Sequence, residues 1–307
     1  MCVCVCVCAR ASLLMLDADA EPFCGGWAHA GMARMARAVW SAAGHDVTEA
    51  LKAAQQGSEL VLAGHSLGAG VASLLTILLH EEHPDVVGLA SRVRCFAFAP
   101  PPVFYTRPPQ MWHPAESTIS AFIHADDCVP FLSVDSGRKL MAGLRAVEAH
   151  CNEQPPAYYA RIALGRSPAD DKLCRVANAA MEGSDLGGIE LAPPLRIPAD
   201  SVVWAQPTAA LGAVREQQRV PSGWRRHSGR ARTWLRRTWR RWRGGGEYDA
   251  KVCSPERVAE RGVGLSSLMF KDHFPDVYER ALDELCRQHQ DEAGESSTSS
   301  DHAPMSA

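Results

Sequence analysis

The chain has 307 residues, 46% of them hydrophobic and 22% charged, the composition of a soluble globular protein with room for one large domain or two modest ones. Its net charge of −3 hides an asymmetry, because residues 224–243 hold nine arginines and no acid, which leaves −12 on the remainder. A basic island on an acidic body suits local contact with an anionic surface, lipid or nucleic acid. Among eleven cysteines there is no C-x-x-C pair, which excludes a zinc module.

In chain order, the opening "MCVCVCVCAR" predicts a strand over 2–9. Alternation sends Val3, Val5 and Val7 to one face and the cysteines to the other, and both residue types are small and apolar, as a core strand buried on both faces requires. Cysteines two apart are too crowded for routine disulfides, so reduced thiols and an intracellular, cytoplasmic or peripheral-membrane setting are expected. No lysine or arginine precedes Arg10, and the apolar run is too short for a signal peptide. Helical periodicity follows at 28–43 and 47–56, a strand at 59–64 and a helix at 67–82. Residues 59–79 have the length of a membrane span, but internal glycines, a histidine and a serine interrupt them. Strands at 93–98 and 118–123 and a helix at 135–150 come next.

The pattern weakens over 152–247, where prolines cluster at 155–156, 193–194 and 198 and "GGG" stands at 244–246, as in an insertion or lid. A helix at 273–288 closes the expected domain of 1–288. From 289 a polar, low-complexity tail is expected to stay disordered. Strands alternating with helices, and strands that read as continuous apolar runs, predict an α/β fold with a mostly parallel sheet and helices on both faces.

The stretch "LVLAGHSLGAGVASLL" carries the chemistry: an apolar strand, then Gly64-His65-Ser66-Leu67-Gly68, then a helix. A G-x-S-x-G elbow needs Gly64 and Gly68 because the serine sits on a strained strand-to-helix turn where side chains on either side would meet backbone. Ser66 is the candidate nucleophile, and the Leu67 amide, at a helix N-terminus, is a candidate oxyanion donor.

A serine nucleophile needs a base, and the base an orienting carboxylate, in the chain order serine, acid, histidine. The acid is expected at the end of the 118–123 strand, in "FIHADDCVPFLS", where Asp126 and Asp127 compete on spacing. Of twelve histidines, seven precede or crowd that acid and four lie in a helix end, the arginine-rich stretch or the tail. His273, in "MFKDHFPDVYERAL", opens a helix after an apolar patch and is the candidate base.

Four of these segments together resemble the lipase class 3 family, in its sn-1-specific diacylglycerol lipase branch. "GHSLGAGVASLL" resembles the family's elbow and "CFAFAPPPVF" its strand-and-proline segment. "HADDCVPFLS" is similar to its acid motif, in which an aspartate stands three residues before proline, so the resemblance assigns the acid to Asp127. "DHFPDVYERAL" is similar to its histidine motif and supports His273, and "ADAEPF" and "AHAGMARMA" resemble the lead into the first helix. The resemblance implies an α/β-hydrolase-type fold that hydrolyses a glycerolipid ester without metal or other cofactor. It also implies Ser12 as the second oxyanion residue, in a loop shortened relative to the family and with Ala11 where the family has glycine. The segment that the family carries before the opening strand, including the membrane-spanning region of the larger diacylglycerol lipases, is expected to be missing.

The leading expectation is a serine lipase that converts diacylglycerol to monoacylglycerol and fatty acid through an acyl-enzyme. The alternatives are a triacylglycerol lipase or esterase of broader specificity, and a catalytically impaired hydrolase retained as a lipid-binding module. In the arginine-rich stretch, Leu235, Trp239 and Trp242 fall at i, i+4 and i+7 of a helix beside Trp234. Such a face, with arginines around it, suits an interfacial contact with anionic lipid. Nucleic acid fits the same composition, but no recognised nucleic-acid fold accompanies it.

Overall fold

The computed structural model describes residues 2–4, 19–55, 57–106, 112–153, 169–183, 195–208, 248–261, 266 and 268–298. Ser12 and the basic segment with Trp234, Leu235, Trp239 and Trp242 lie outside the described residues.

The centre is a six-stranded sheet of β1 (Cys2–Cys4), β4 (Glu59–His65), β5 (Arg92–Phe98), β7 (Ile119–His124), β8 (Ser201–Pro207) and β9 (Tyr248–Cys253), in that spatial order. Every pair is parallel except the last, β9 against β8. Leu60, Leu62, Cys95, Ala97, Ala121 and Ile123 are buried along the middle strands, which explains why the sequence there reads as unbroken apolar runs. A smaller antiparallel sheet joins β2 (Ala20–Phe23), β3 (Gly26–His29) and β6 (Phe104–Thr106). Its β2–β3 hairpin turns through Cys24 and Gly25, at φ of 41° and 74°, the paired left-handed residues of a two-residue hairpin loop.

The helices are α1 (Ala30–Ala53), α2 (Leu67–Glu82), α3 (Pro84–Leu89), α4 (Val134–Asn152), α5 (Ala169–Glu182), α6 (Pro255–Arg261) and α7 (Pro275–Thr298). The thirteen residues Leu67 to Leu79 of α2 are all buried, between α1 and strands β4 and β5. Full burial of a leucine or isoleucine such as Leu74 or Ile77 stabilises by roughly 2 kcal/mol, which makes α2 the anchor of the core.

Four expectations change. The two helices expected at 28–43 and 47–56 are one, because Gly44 packs against Trp40 without breaking α1. The opening strand, expected in the core, stands at one end of the described sheet with β4 as its single neighbour. The weakly patterned stretch 152–247 contributes β8, a full strand of the main sheet, so it is not wholly an insertion. Nearby, Arg196 donates from Nη1 and Nη2 to Glu116, at 2.6 and 3.0 Å. Glu116 is 1% exposed, and removing one partner of such a buried pair costs about 3–5 kcal/mol. Last, α7 continues to Thr298, so the polar residues from 289 to 298 are helical rather than tail.

Candidate active site

The ends of β4, β5 and β7 share one device. The residue after each strand takes positive φ without being glycine: Ser66 at 57°, Ala99 at 52° and Ala125 at 45°. Each then donates its N–H to the next strand along: Ser66 to Phe98 O at 2.8 Å, Ala99 to Phe122 O at 2.9 Å and Ala125 to Ala205 O at 2.8 Å. Left-handed backbone costs an L-residue on the order of 1–3 kcal/mol, and the inter-strand bonds hold it in place. The carboxyl ends of three adjacent strands thus turn sharply at one edge of the sheet, where α/β proteins bind ligands.

Ser66 stands on the first of these turns, with ψ of −126°. A Cβ on Gly64 would lie 2.2 Å from the Gly68 carbonyl oxygen and 2.6 Å from the Ala69 nitrogen, so the turn closes over a glycine. The Ser66 carbonyl starts the helix, accepting from Ala69 N at 2.9 Å and Gly70 N at 3.2 Å. Its side chain makes no capping bond. Leu67, buried, is the first residue of α2, and first-turn amides have no carbonyl partner within the helix.

Asp127, fully buried, follows β7 by three residues. Both of its carboxylate oxygens lie 3.1 Å from His273 Nδ1. Val129 N–H donates to Oδ1 at 2.9 Å, and the Tyr278 hydroxyl donates to Oδ2 at 2.6 Å. Asp126 faces elsewhere: its carboxylate accepts from Ser266 Oγ at 3.1 Å and lies 3.5 Å from Arg261. The two aspartates that spacing left equal are thus distinguished by contact, and Asp127 is the one against the histidine.

His273 ends a 3₁₀ turn, Lys271–His273, just before α7, with its side chain 24% exposed. Three residues that sequence reasoning did not single out hold this turn. His65, next to Ser66, lies with Nε2 2.9 Å from the His273 carbonyl oxygen, and its ring stands 4.9 Å from the His273 ring. A carbonyl only accepts, so His65 Nε2 carries the hydrogen. Burial, and then the nearby His273, push the His65 pKa below its usual 6.5. Asp272, buried, accepts from the Asp126 N–H at 3.2 Å, which ties the acid turn to the histidine turn. Tyr278 is 4% exposed and its hydroxyl also accepts from His124 N–H at 3.1 Å. Their one signal was position in a quoted segment: His65 lies in "GHSLGAGVASLL", and Asp272 and Tyr278 lie in "DHFPDVYERAL".

Ser66 and His273 make no direct hydrogen bond with each other; His65 links their two segments. Catalytic hydrogen bonds of this kind commonly tighten only when substrate is bound. Among the described residues, no three His, Cys, Asp or Glu side chains gather to hold a metal, and no helix is long and apolar enough to cross a membrane. Among the described residues, Cys24, Cys95, Cys128, Cys253 and Cys286 are free thiols.

A mostly parallel sheet that leads through a strained serine turn into a buried helix is the α/β-hydrolase type of fold. Residues 7–136 match the family model described as lipase (class 3). Mouse diacylglycerol lipase-beta is 33% identical over 128 residues, which cover 41% of this chain and 18% of that protein. This chain therefore matches less than a fifth of that relative's length. Solved structures similar to it include lipase II from Rhizopus niveus, 24% identical over 37% of this chain and 43% of that one, with a TM-score of 0.32. The mono- and diacylglycerol lipase from Aspergillus oryzae is 22% identical over 41% and 44%, with a TM-score of 0.29. The matched family model is the one that the four motifs resemble, and the matched relative is a diacylglycerol lipase.

Proposed function

We propose that this chain is a serine lipase that hydrolyses an acyl ester of diacylglycerol. The observation that carries the reading is the buried Asp127 carboxylate against His273 Nδ1, beside an elbow that presents Ser66. Ser66 Oγ attacks the ester carbonyl as His273 Nε2 takes its proton, and Asp127 holds the ring in the required tautomer and stabilises its cation. The Leu67 N–H, with Ser12, stabilises the tetrahedral oxyanion, and the alcohol leaves with the proton from His273. Water then attacks the acyl-enzyme with His273 again as base.

Two features support an apolar ester. Phe270 and Phe274, 68% and 58% exposed, flank His273 in the chain and offer exposed hydrocarbon surface. The matched relative is a diacylglycerol lipase, which favours that substrate over triacylglycerol. The Trp- and Arg-rich segment 224–243 is proposed as a contact with anionic membrane lipid, through Trp234, Leu235, Trp239 and Trp242.

A fluorophosphonate probe tests the chemistry: labelling at Ser66 requires an assembled base and oxyanion site, and an unlabelled chain would favour a lipid-binding hydrolase relic. Hydrolysis of a panel of mono-, di- and triacylglycerols tests the substrate, with diacylglycerol expected to turn over fastest. Vesicle binding by the chain lacking 224–243 tests the membrane contact, and unchanged binding to anionic vesicles would refute it.

A further inference from the structure

We propose that Tyr278 is a positioning residue of this site, its hydroxyl fixing the Asp127 carboxylate so that both oxygens face His273 Nδ1. The inference rests on the reading of Ser66, His273 and Asp127 given above.

The hydroxyl is committed on both sides. It donates to Asp127 Oδ2 at 2.6 Å and accepts the His124 N–H, the last of β7, at 3.1 Å. The phenol is therefore keyed to the strand that delivers the acid. Its ring is packed edge-on against His65 at 5.6 Å and Phe98 at 6.5 Å, so it cannot swing away. Val129 N–H holds the other oxygen, Oδ1, at 2.9 Å. A carboxylate with one donor on each oxygen cannot rotate, and His273 Nδ1 at 3.1 Å from both oxygens lies on its bisector. Burial first, and then the Asp127 charge, raise the Tyr278 pKa well above 10, so the group stays a donor throughout the working range. A phenol needed only to fill space would be served equally by phenylalanine. The short bond to a fully buried charge is what distinguishes tyrosine here.

The test compares the full chain with Tyr278→Phe, which keeps the ring and deletes the hydroxyl. Without that donor the carboxylate bears more charge toward the imidazole and holds its protonated form more tightly. Fluorophosphonate labelling of Ser66 should slow roughly tenfold, the effect of one hydrogen bond to a charged group. Its acid limb should move to higher pH by about half a unit, while KM for a short ester stays unchanged. Unaltered labelling and an unmoved limb would overturn the inference. Should Tyr278→Phe fail to fold, 3-fluorotyrosine at 278, a stronger donor, should move the limb the other way, and no movement would again overturn it.

A readout independent of turnover separates this inference from the lipase reading. The low-field imidazole proton, identified by its absence in His273→Ala, should shift in Tyr278→Phe. If the unaltered chain resists labelling yet that proton shifts, the serine-lipase reading falls and the positioning stands. If the proton does not shift, the positioning falls whatever the labelling shows.

Discussion

The serine and the histidine sides of the site are held in opposite ways. Ser66 is fixed by backbone: a left-handed turn over Gly64, followed by a helix whose first thirteen residues are buried. His273 precedes α7, where among residues 275–290 only Val277, Tyr278 and Ala281 are buried, and it is fixed by side-chain hydrogen bonds across the fold. Those bonds join residues far apart in the chain: 146 positions for Asp127, and 208 for His65. A nucleophile on strained backbone fails when the backbone changes, and a base held by hydrogen bonds fails when a donor or acceptor is lost.

The largest effect should come from Ser66, the proposed nucleophile. Ser66→Ala leaves the turn intact and removes the attacking oxygen, so ester hydrolysis should fall by roughly 10⁴-fold or more. Near-normal hydrolysis in that variant would end the assignment. On the same side, Gly64→Ala tests backbone rather than chemistry. Its methyl would lie 2.2 Å from the Gly68 carbonyl oxygen, so α2 must move or the chain must unfold. A loss of stability of about 3 kcal/mol or more is expected in denaturant titration, with probe labelling lost too.

On the histidine side the fold should survive while the rate falls. Asp127→Asn should lower kcat by roughly 10³–10⁴-fold, because an amide no longer enforces the tautomer of His273. Asp126→Asn, whose contacts are Ser266 and Arg261, should stay within about threefold of normal. Equal losses in the two variants would erase the distinction that the geometry draws between adjacent aspartates.

The same contrast explains what the sequence made legible. The elbow was readable because its constraints are local: a strand, two glycines and a helix within "LVLAGHSLGAGVASLL". The parallel core was readable for a similar reason, since its strands are short apolar runs with helices between them. Asp127 against Asp126 was not decidable from spacing, because only the fold turns one toward His273 and the other toward Ser266. His65 was set aside as a histidine that precedes the acid, and its partner is the carbonyl of a residue 208 positions away. Strand β8 was hidden because prolines surround it, and nothing local announces that Ser201–Pro207 pairs with β7. Ser12, Trp234, Leu235, Trp239 and Trp242 remain propositions of sequence alone.

The smallest predicted effect concerns His65, which hydrogen-bonds across the two sides. Burial and the neighbouring His273 hold its folded pKa below 6.5, so between the two values the unfolded chain binds more protons. Stability from this group is therefore complete above about pH 6.5 and declines as pH falls through the folded value. His65→Gln keeps a donor for the His273 carbonyl and removes the titration. Its Tm should change little at pH 8 and fall less than that of the unaltered chain between pH 7 and pH 5. Only part of the slope should disappear, because burial also lowers the pKa of His80, whose contribution has the same sign. Parallel Tm–pH curves for the two proteins would mean that His65 does not sense the imidazole beside it.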